Sequence, residues 1–109
     1  MTRVTLFEDN EGLLRGYEVE GHSGYDDKGS DIVCAAVSIL TINTINAIEA
    51  YTTGKPQVSS DEDKTRCIFD EPPEEKELLL LKTYELGIRS IEASYGKHVK
   101  VKVRRYKSC

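Results

Sequence analysis

Hydrophobic and polar residues alternate in two stretches near the start of the chain. The range 3–8 carries β-branched and aromatic residues, and the range 13–20 sets Leu13, Tyr17 and Val19 among polar neighbours. Between them, Asp9-Asn10-Glu11-Gly12 supplies the residue types that favour a tight turn. The pattern therefore predicts a β-hairpin whose second strand ends just before His22.

A long apolar segment follows, from Asp31 to about Tyr51, rich in Ile, Val, Leu and Ala. Its length favours a helix over a strand, and Gly54-Lys55-Pro56 then stops the helix. A helix with so many apolar residues has to be covered by other protein surfaces on most of its sides. We expect a sheet on one side of it and a partner subunit on another.

The second half of the chain repeats this order. Two short strands at 57–60 and 65–69 flank an acidic turn at 60–64. A second helix begins within 70–75 and ends at Gly96. A last strand begins at Val99. The helix is indicated by apolar residues near the helical period, Leu78, Leu81, Tyr84 or Glu85, Ile88, Ile91 and Tyr95. The order β-β-α-β-β-α-β predicts an α+β fold with a mostly antiparallel sheet of about five strands and both helices on one face.

Composition limits the class of protein. The chain has 109 residues, 39% hydrophobic and 31% charged, which indicates a single globular domain over residues 1–109. Its net charge of −4 argues against general nucleic-acid binding. Three cysteines without a CxxC pair and only two histidines predict neither a disulfide framework nor a metal or cofactor site. We expect a cytoplasmic protein, because the first residues lack signal-peptide character and no run approaches membrane-spanning length.

The last strand has one basic face. Val99, Val101 and Val103 alternate with Lys100, Lys102 and Arg104. Basic residues on an edge strand oppose aggregation, and the same residues suit a contact with RNA or with an acidic patch on a partner. The acidic residues at 61–63 allow two interpretations as well, a solvated turn or an element that steers a basic substrate.

The loop before the long helix has the residues of a thiol active site. His22 stands at one end of a segment containing Gly21, Gly24 and Gly29, and Cys34 lies just inside the helix. If Asp31 caps the helix, Cys34 is the third helical residue, where free N–H groups and the helix dipole favour a thiolate. His22 is the candidate base, and the backbone amides of the glycines are candidates for holding an oxyanion.

Other interpretations of these residues remain open. A single cysteine at the start of an apolar helix is often a small packed hydrophobe. In that case the chain is a non-catalytic binding module that uses its basic strand. A redox-sensing thiol is a further alternative, although no resolving cysteine stands near Cys34 in sequence.

The motif resembles a known family. The run Gly21-His22-Ser23-Gly24-Tyr25, followed by Gly29-Ser30-Asp31-Ile32-Val33-Cys34-Ala35-Ala36-Val37-Ser38, is similar to the signature of the ribosomal-processing cysteine protease family, Prp. The resemblance extends over the whole chain in length and element order. It departs from the family pattern at Ser23 and at Asp26-Asp27, in the loop that would govern substrate preference.

The resemblance implies an activity and a set of roles. It implies a cysteine endopeptidase that removes a short N-terminal extension from large-subunit ribosomal protein number twenty-seven, with hydrophobic and aromatic residues ahead of the cut. His22 and Cys34 match the family's catalytic pair, and Asp31 and Ser38 match supporting positions further along the motif. The resemblance also implies a homodimer. Within a ribosomal-processing family, the binding-module alternative becomes a ribosome-associated module whose basic strand contacts ribosomal RNA.

Overall fold

The chain begins with the predicted hairpin. The computed structural model describes residues 1–21 and 28–107, with the backbone alone for 28–31. Strand β1 (Thr2–Glu8) pairs antiparallel with β2 (Leu14–Glu20). The turn is held by Asp9, whose Oδ1 accepts the N–H groups of Glu11 and Leu13 at 2.9 and 3.0 Å. Aspartate favours turns for this reason, because its short side chain can accept from the backbone two residues on.

The remaining elements follow in the predicted order. They are α1 (Lys28–Tyr51), β3 (Gln57–Ser60), β4 (Lys64–Ile68), α2 (Glu75–Ser94) and β5 (Val99–Arg105). The sheet has the strand order β3-β4-β2-β1-β5, and β1 with β5 is its parallel pair, the other neighbours being antiparallel. The predicted α+β class is confirmed. The predicted start of the first helix is wrong, because α1 begins three residues before Asp31.

Tyr17 of β2 joins the sheet to both helices. Its hydroxyl donates to the carbonyl oxygen of Thr41 in α1 at 2.8 Å. Its ring stacks on Tyr84 of α2 with centroids 3.8 Å apart, and the hydroxyls of Thr41 and Tyr84 are 2.9 Å apart. Because one buried side chain of the sheet reaches both helices, α1 and α2 lie on the same face, as predicted.

The other face of the sheet carries the charged residues. The guanidinium of Arg66 lies 5.4 Å from the centroid of the Phe7 ring, and Glu18 lies within 3.8 Å of both Arg66 and Lys64. Such exposed ion pairs add little stability. The basic residues of β5 are exposed along one edge of the sheet: Lys100, Lys102 and Arg104.

Helix α1 is only partly covered by its own chain. Its inner side buries Val33, Val37 and Ile48, whereas Ile32 and Ile39 are exposed on its outer side. The stretch Ile32–Tyr51 is long and apolar enough to cross a membrane, and 28% of its most apolar part is buried. The prediction that no run approaches membrane-spanning length is therefore wrong, because these 20 residues reach that length and are apolar enough by composition.

Candidate active site

A small cavity lies where the start of α1 meets the end of the sheet. It has a volume of about 100 Å³. Cys34 and Ser38 of α1 line one side, and Thr2, Val19, Glu20 and Gly21 of the hairpin line another. The turn between β3 and β4 completes it with Asp61, Glu62, Asp63, Lys64 and Thr65. The cavity therefore brings together three segments that are far apart in the sequence.

The helical period places Cys34 at the edge of the core. Val33 and Val37 are buried and anchor this part of α1 on the sheet, whereas Ile32 is exposed. Cys34 lies between these two environments and is half-buried. Ser38, one turn further along, is exposed and shares the cavity. Residues four apart lie on the same side of a helix, so the sequence spacing alone predicts that these two polar groups are neighbours.

The helix start differs from the prediction in a way that concerns the thiol. Cys34 is the seventh residue of α1 rather than the third. The dipole effect falls off within the first turn, so the predicted placement of the thiol in that turn is wrong. Asp31 is the fourth residue of the helix and therefore not its N-cap, also contrary to the prediction. Gly29 is the second residue, among the first four whose N–H groups have no partner within a helix.

Gly21 shapes the entrance to the loop. Its φ of +88° lies in the left-handed region that L side chains rarely adopt. A Cβ at this position would stand 2.5 Å from the carbonyl oxygen of Met1. Its N–H donates to the carbonyl oxygen of Asp63 at 3.4 Å. Gly21 is therefore required for the turn, and its amide, which the sequence offered as an oxyanion donor, already has an acceptor.

Acidic residues dominate the charged lining of the cavity. Asp61 holds the turn, because its Oδ1 accepts the N–H groups of Asp63 and Lys64 at 2.8 and 2.9 Å. These hydrogen bonds keep the pKa of Asp61 below its ordinary value. Four acidic residues and one lysine are among the described lining residues, namely Glu20, Asp61, Glu62, Asp63 and Lys64.

Thr2 is an unusual residue of the lining. Thr2 is only 2% exposed, and its Oγ1 is buried without a hydrogen-bonding partner among the described residues. Buried hydroxyl groups are nearly always hydrogen-bonded, because leaving one unpaired costs about 1–3 kcal/mol. One of the residues that line the cavity beside Cys34 therefore has an unsatisfied polar group.

Cys67 has the opposite environment to Cys34. It is fully buried in β4, opposite Tyr17, and burial raises the pKa of its thiol to about 12. A thiol held in this form is a poor nucleophile. The prediction that Cys67 is inert packing agrees with this burial, so Cys34 is the better candidate nucleophile of the two described cysteines.

Two of the predicted site residues fall in the segment 22–27. His22 and Gly24 lie outside the described residues, so their positions relative to Cys34 stay predictions. The described chain resumes at Lys28, six residues before Cys34. Gly21, the last described residue before the gap, lines the same cavity as Cys34.

Similarity along most of the chain decides the family. The family described as Cysteine protease Prp matches residues 1–100. The chain belongs to the Prp family of cysteine proteases. The ribosomal processing cysteine proteases Prp of Staphylococcus aureus and Bacillus subtilis are 26% and 25% identical to it. The alignments cover 93% of this chain in both cases, and 97% and 96% of those relatives.

Solved structures share the fold. The Prp protease of Staphylococcus aureus in complex with a substrate peptide superposes with a TM-score of 0.89 at 23% identity, over 95% of this chain and 100% of that chain. A Streptococcus mutans protein superposes with a TM-score of 0.87 at 29% identity, over 97% and 96% of the two chains. The Prp assignment decides for an enzyme and against the non-catalytic binding module.

Sequence reasoning missed part of the cavity. Thr2, Val19 and Glu20 were not among the predicted site residues. The sequence held one signal for Thr2. In β1 every second side chain faces the helices, and Thr2 is on the same side of the strand as Val4 and Leu6. A hydroxyl in that register is a polar group at a core position, which calls for a partner.

Proposed function

We propose that the chain is an endopeptidase that removes a short N-terminal extension from large-subunit ribosomal protein number twenty-seven. Cys34 is the nucleophile and His22 the general base. Support comes from the Prp assignment, from the motif around the two residues, and from the relatives named for ribosomal processing. The placement of Cys34 in the wall of a cavity carries the proposal, because the thiol has to meet a peptide carbonyl.

The first half of the reaction forms an acyl-enzyme. His22 takes the proton of the Cys34 thiol, and the sulfur attacks the carbonyl carbon of the scissile bond. The negative charge on the carbonyl oxygen of the tetrahedral intermediate is stabilised by backbone N–H groups. Those of Gly24 and Gly29 are our candidates, the latter because it lies in the first turn of α1. The intermediate collapses as His22 gives its proton to the leaving amine and the C–N bond breaks.

The second half releases the leader peptide. Water attacks the thioester while His22 accepts one of its protons, and the C–S bond then breaks. The leader leaves with a new carboxylate, and the sulfur recovers its proton. Asp31, one helical turn before Cys34, is proposed to position His22, and Ser38, one turn after, to contact the substrate beside the thiol.

Peptide cleavage tests this proposal. A peptide that copies the extended N-terminus of the ribosomal protein is incubated with wild-type enzyme and with the Cys34→Ala, His22→Ala and Cys67→Val variants, and the products are identified by mass spectrometry. We expect one cut by wild type and by Cys67→Val, because Cys67 is remote from solvent, and none by the other two. An uncut peptide with wild type, or equal cutting by Cys34→Ala, would overturn the assignment.

We also propose that the enzyme is a homodimer formed through α1. No charged residue occurs between Asp31 and Glu49, and the outer side of the helix exposes Ile32, Ile39 and Ile42. A charge-free apolar stripe on a helix fits a second copy of itself, since an isologous interface needs the same patch on both subunits. Burial of these isoleucines would remove apolar surface that the chain alone leaves in water.

The proposed compartment is the cytoplasm. Cys34 and Cys67 are free thiols, and a catalytic thiol needs a reducing environment to stay active. The substrate would be met in the same compartment, where ribosomal proteins are made. Fractionation of cells with an antibody against the chain would check this, and recovery from an oxidising compartment would contradict it.

A further inference from the structure

One face of the sheet is turned away from both helices. Side chains alternate between the two faces of a strand, and Val4, Tyr17 and Cys67 belong to the core that lies on the helical side. The residues next to them in the strands therefore point to the other side, which we call the open face. Its basic residues come from three strands and are all exposed: Arg3, Lys64, Arg66, Lys100, Lys102 and Arg104.

The uncompensated positive charge of the open face lies on β1 and β5. The acidic strand residues of this face, Glu18 and Glu20, both belong to β2. The Glu18 carboxylate lies 3.8 Å from the side-chain nitrogens of Lys64 and Arg66, and the Glu20 carboxylate lies 3.9 Å from Lys64. Both glutamates are thus engaged with β4. In the part of the chain that the structure describes, no ion pair is formed by Arg3 or by the basic residues of β5.

Two of these cations are direct neighbours. Arg3 stands beside Lys100 in the parallel register of β1 and β5, and like charges side by side in a sheet are destabilising. Protection of a sheet edge against aggregation explains the basic residues of β5, which is an edge strand. It does not explain Arg3, because β1 lies between β2 and β5. An anion that binds both side chains would offset their repulsion.

The arrangement on β5 suits a polymer that has an anion on every unit. Lys100, Lys102 and Arg104 follow one another at intervals of about 6.6 Å along one side of the strand. The outer edge of β5 has no neighbouring strand, so its backbone N–H groups are also available as donors. The Arg3 guanidinium lies 3.8 Å from the place that a Cβ of Gly21 would take. The basic surface therefore reaches the rim of the cavity that contains Cys34.

The composition of the open face favours nucleic acid over protein as the partner. Protein interfaces are enriched in aromatic residues and depleted in lysine. Val58 and Val103, the large apolar residues exposed on the described strands, are both in the register that faces the helices. Phe7 of the open face is only 8% exposed, with the Arg66 guanidinium over its ring. Contacts with a phosphate backbone need cationic side chains and no apolar anchor.

We propose that the open face binds the phosphate backbone of RNA. The three basic residues of β5 contact successive phosphates, and Arg3 contacts the phosphate nearest to the cavity. The net charge of −4 does not prevent this, because the cations are gathered on one face. The choice of RNA rests on the proposed function, since a ribosomal protein is met together with RNA. The bound enzyme would present the Cys34 cavity, at the end of the same sheet, to a protein carried by that RNA.

RNA binding at several salt concentrations tests the proposal. A short fluorescent single-stranded RNA of mixed sequence is titrated with wild type, and its anisotropy gives the Kd. Each phosphate contact contributes about 0.7 to the slope of log Kd against log salt, so Lys102→Gln with Arg104→Gln should lower the slope by about 1.4 and weaken binding roughly twentyfold at about 0.1 M salt. Arg3→Gln should weaken it about fivefold. The matched control is Lys76→Gln with Lys82→Gln on α2, which changes the net charge equally and should leave the Kd unchanged.

Three results would overturn the RNA-binding face: no binding by wild type at low salt, an unchanged Kd in the β5 double variant, or equal weakening by the α2 control. Binding of polyglutamate as tight as that of the RNA would also overturn it, in favour of an acidic protein segment. Cleavage of the leader peptide by the same wild-type preparation separates the two proposals. RNA binding without cleavage would overturn the protease proposal alone, and cleavage without RNA binding would overturn the RNA-binding face alone.

Discussion

The rings of Tyr17 and Tyr84 stack with their planes 18° apart. The carbonyl oxygen of Thr41 accepts a hydrogen bond from the Tyr17 hydroxyl, and the Thr41 hydroxyl is hydrogen-bonded to the Tyr84 hydroxyl. The three residues come from β2, α2 and α1, so this contact fixes the position of α1 on the sheet. Cys34 lies on the same helix, about two turns before Thr41. The geometry of the candidate nucleophile therefore depends on a buried network that takes no part in the chemistry.

Tyr84→Phe is expected to lower the free energy of unfolding by about 1–2 kcal/mol, because the Thr41 hydroxyl loses its partner in a buried site. For a domain of this size that lowers the Tm by roughly 4–8 °C. The matched control is Tyr51→Phe, since Tyr51 is 74% exposed and should leave the Tm unchanged. Thermal unfolding of both variants followed by circular dichroism checks the prediction, and equal Tm values would contradict it.

Thr2→Val is expected to raise the free energy of unfolding by about 1 kcal/mol, because it removes a buried hydroxyl without a partner and replaces it with a methyl group of the same shape. Val4→Thr is the converse control, since it buries a hydroxyl at the next inward position of β1, and it should lower stability. Urea unfolding midpoints measure both. A destabilised Thr2→Val variant would mean that the hydroxyl has a partner after all.

Glycine substitutions distinguish a strained turn from a crowded one. Gly12 and Gly21 both have positive φ, +78° and +88°, but nothing lies within 4 Å of a Cβ at Gly12. Gly12→Ala should cost only the backbone strain, about 1 kcal/mol, with kcat/KM unchanged. Gly21→Ala should cost more, because its Cβ meets the Met1 carbonyl, and should lower kcat/KM because it displaces the wall of the cavity. Equal effects of the two on stability and activity would contradict this.

Stability should fall in alkaline solution. Burial raises the pKa of Cys67 from 9.0 to about 12 and also raises the pKa values of Tyr17 and Tyr84. The unfolded chain therefore loses these protons first, so the free energy of unfolding is constant at neutral pH and decreases above about pH 9. Urea unfolding between about pH 7 and 10.5 measures the decrease, which should start at higher pH in Cys67→Val, where only the tyrosines remain. A midpoint independent of pH would contradict the prediction.

The oligomeric state should depend on α1 and not on α2. Ile39→Lys, at a residue 70% exposed on α1, places a charge in the proposed interface and should convert a dimer to a monomer. Leu86→Lys is the matched control, because Leu86 is 71% exposed on α2 and lies outside that interface. Light scattering after gel filtration gives the mass of each. A wild-type monomer, or dissociation by Leu86→Lys alone, would contradict the proposed interface.

Local patterns predicted the elements of this fold well, since periodicity and turn residues act over a few neighbouring positions. The period of α2 identified Leu81 and Ile88, both buried, and the polar turn at Asp9 identified the hairpin. The start of α1 was placed at Asp31 because aspartate is a good cap, yet aspartate is equally favourable inside the first turn. Such boundaries are poorly determined by local preference.

Long-range relationships were the part that sequence could not supply. The motif identified Cys34 and Ser38, which share the cavity, but nothing local links either to Thr2 or to the acidic turn. Those contacts depend on strand order. In this sheet β4 pairs with β2, although α1 and β3 lie between the two strands in the sequence. The alternation of apolar and polar residues in β1 and in β5 does not reveal that these two strands pair in parallel.

That parallel pair has a consequence for the timing of assembly during synthesis. The N–H of Thr2 donates to the carbonyl oxygen of His98 at 2.9 Å, and β1 gains its second neighbour only when Val99–Arg105 has been made. Contacts of such high sequence separation form late. The first strand therefore keeps one edge unpaired until Val99–Arg105 has left the ribosome, and only then does the pairing of β1 with β5 fix the position of Thr2 beside Cys34.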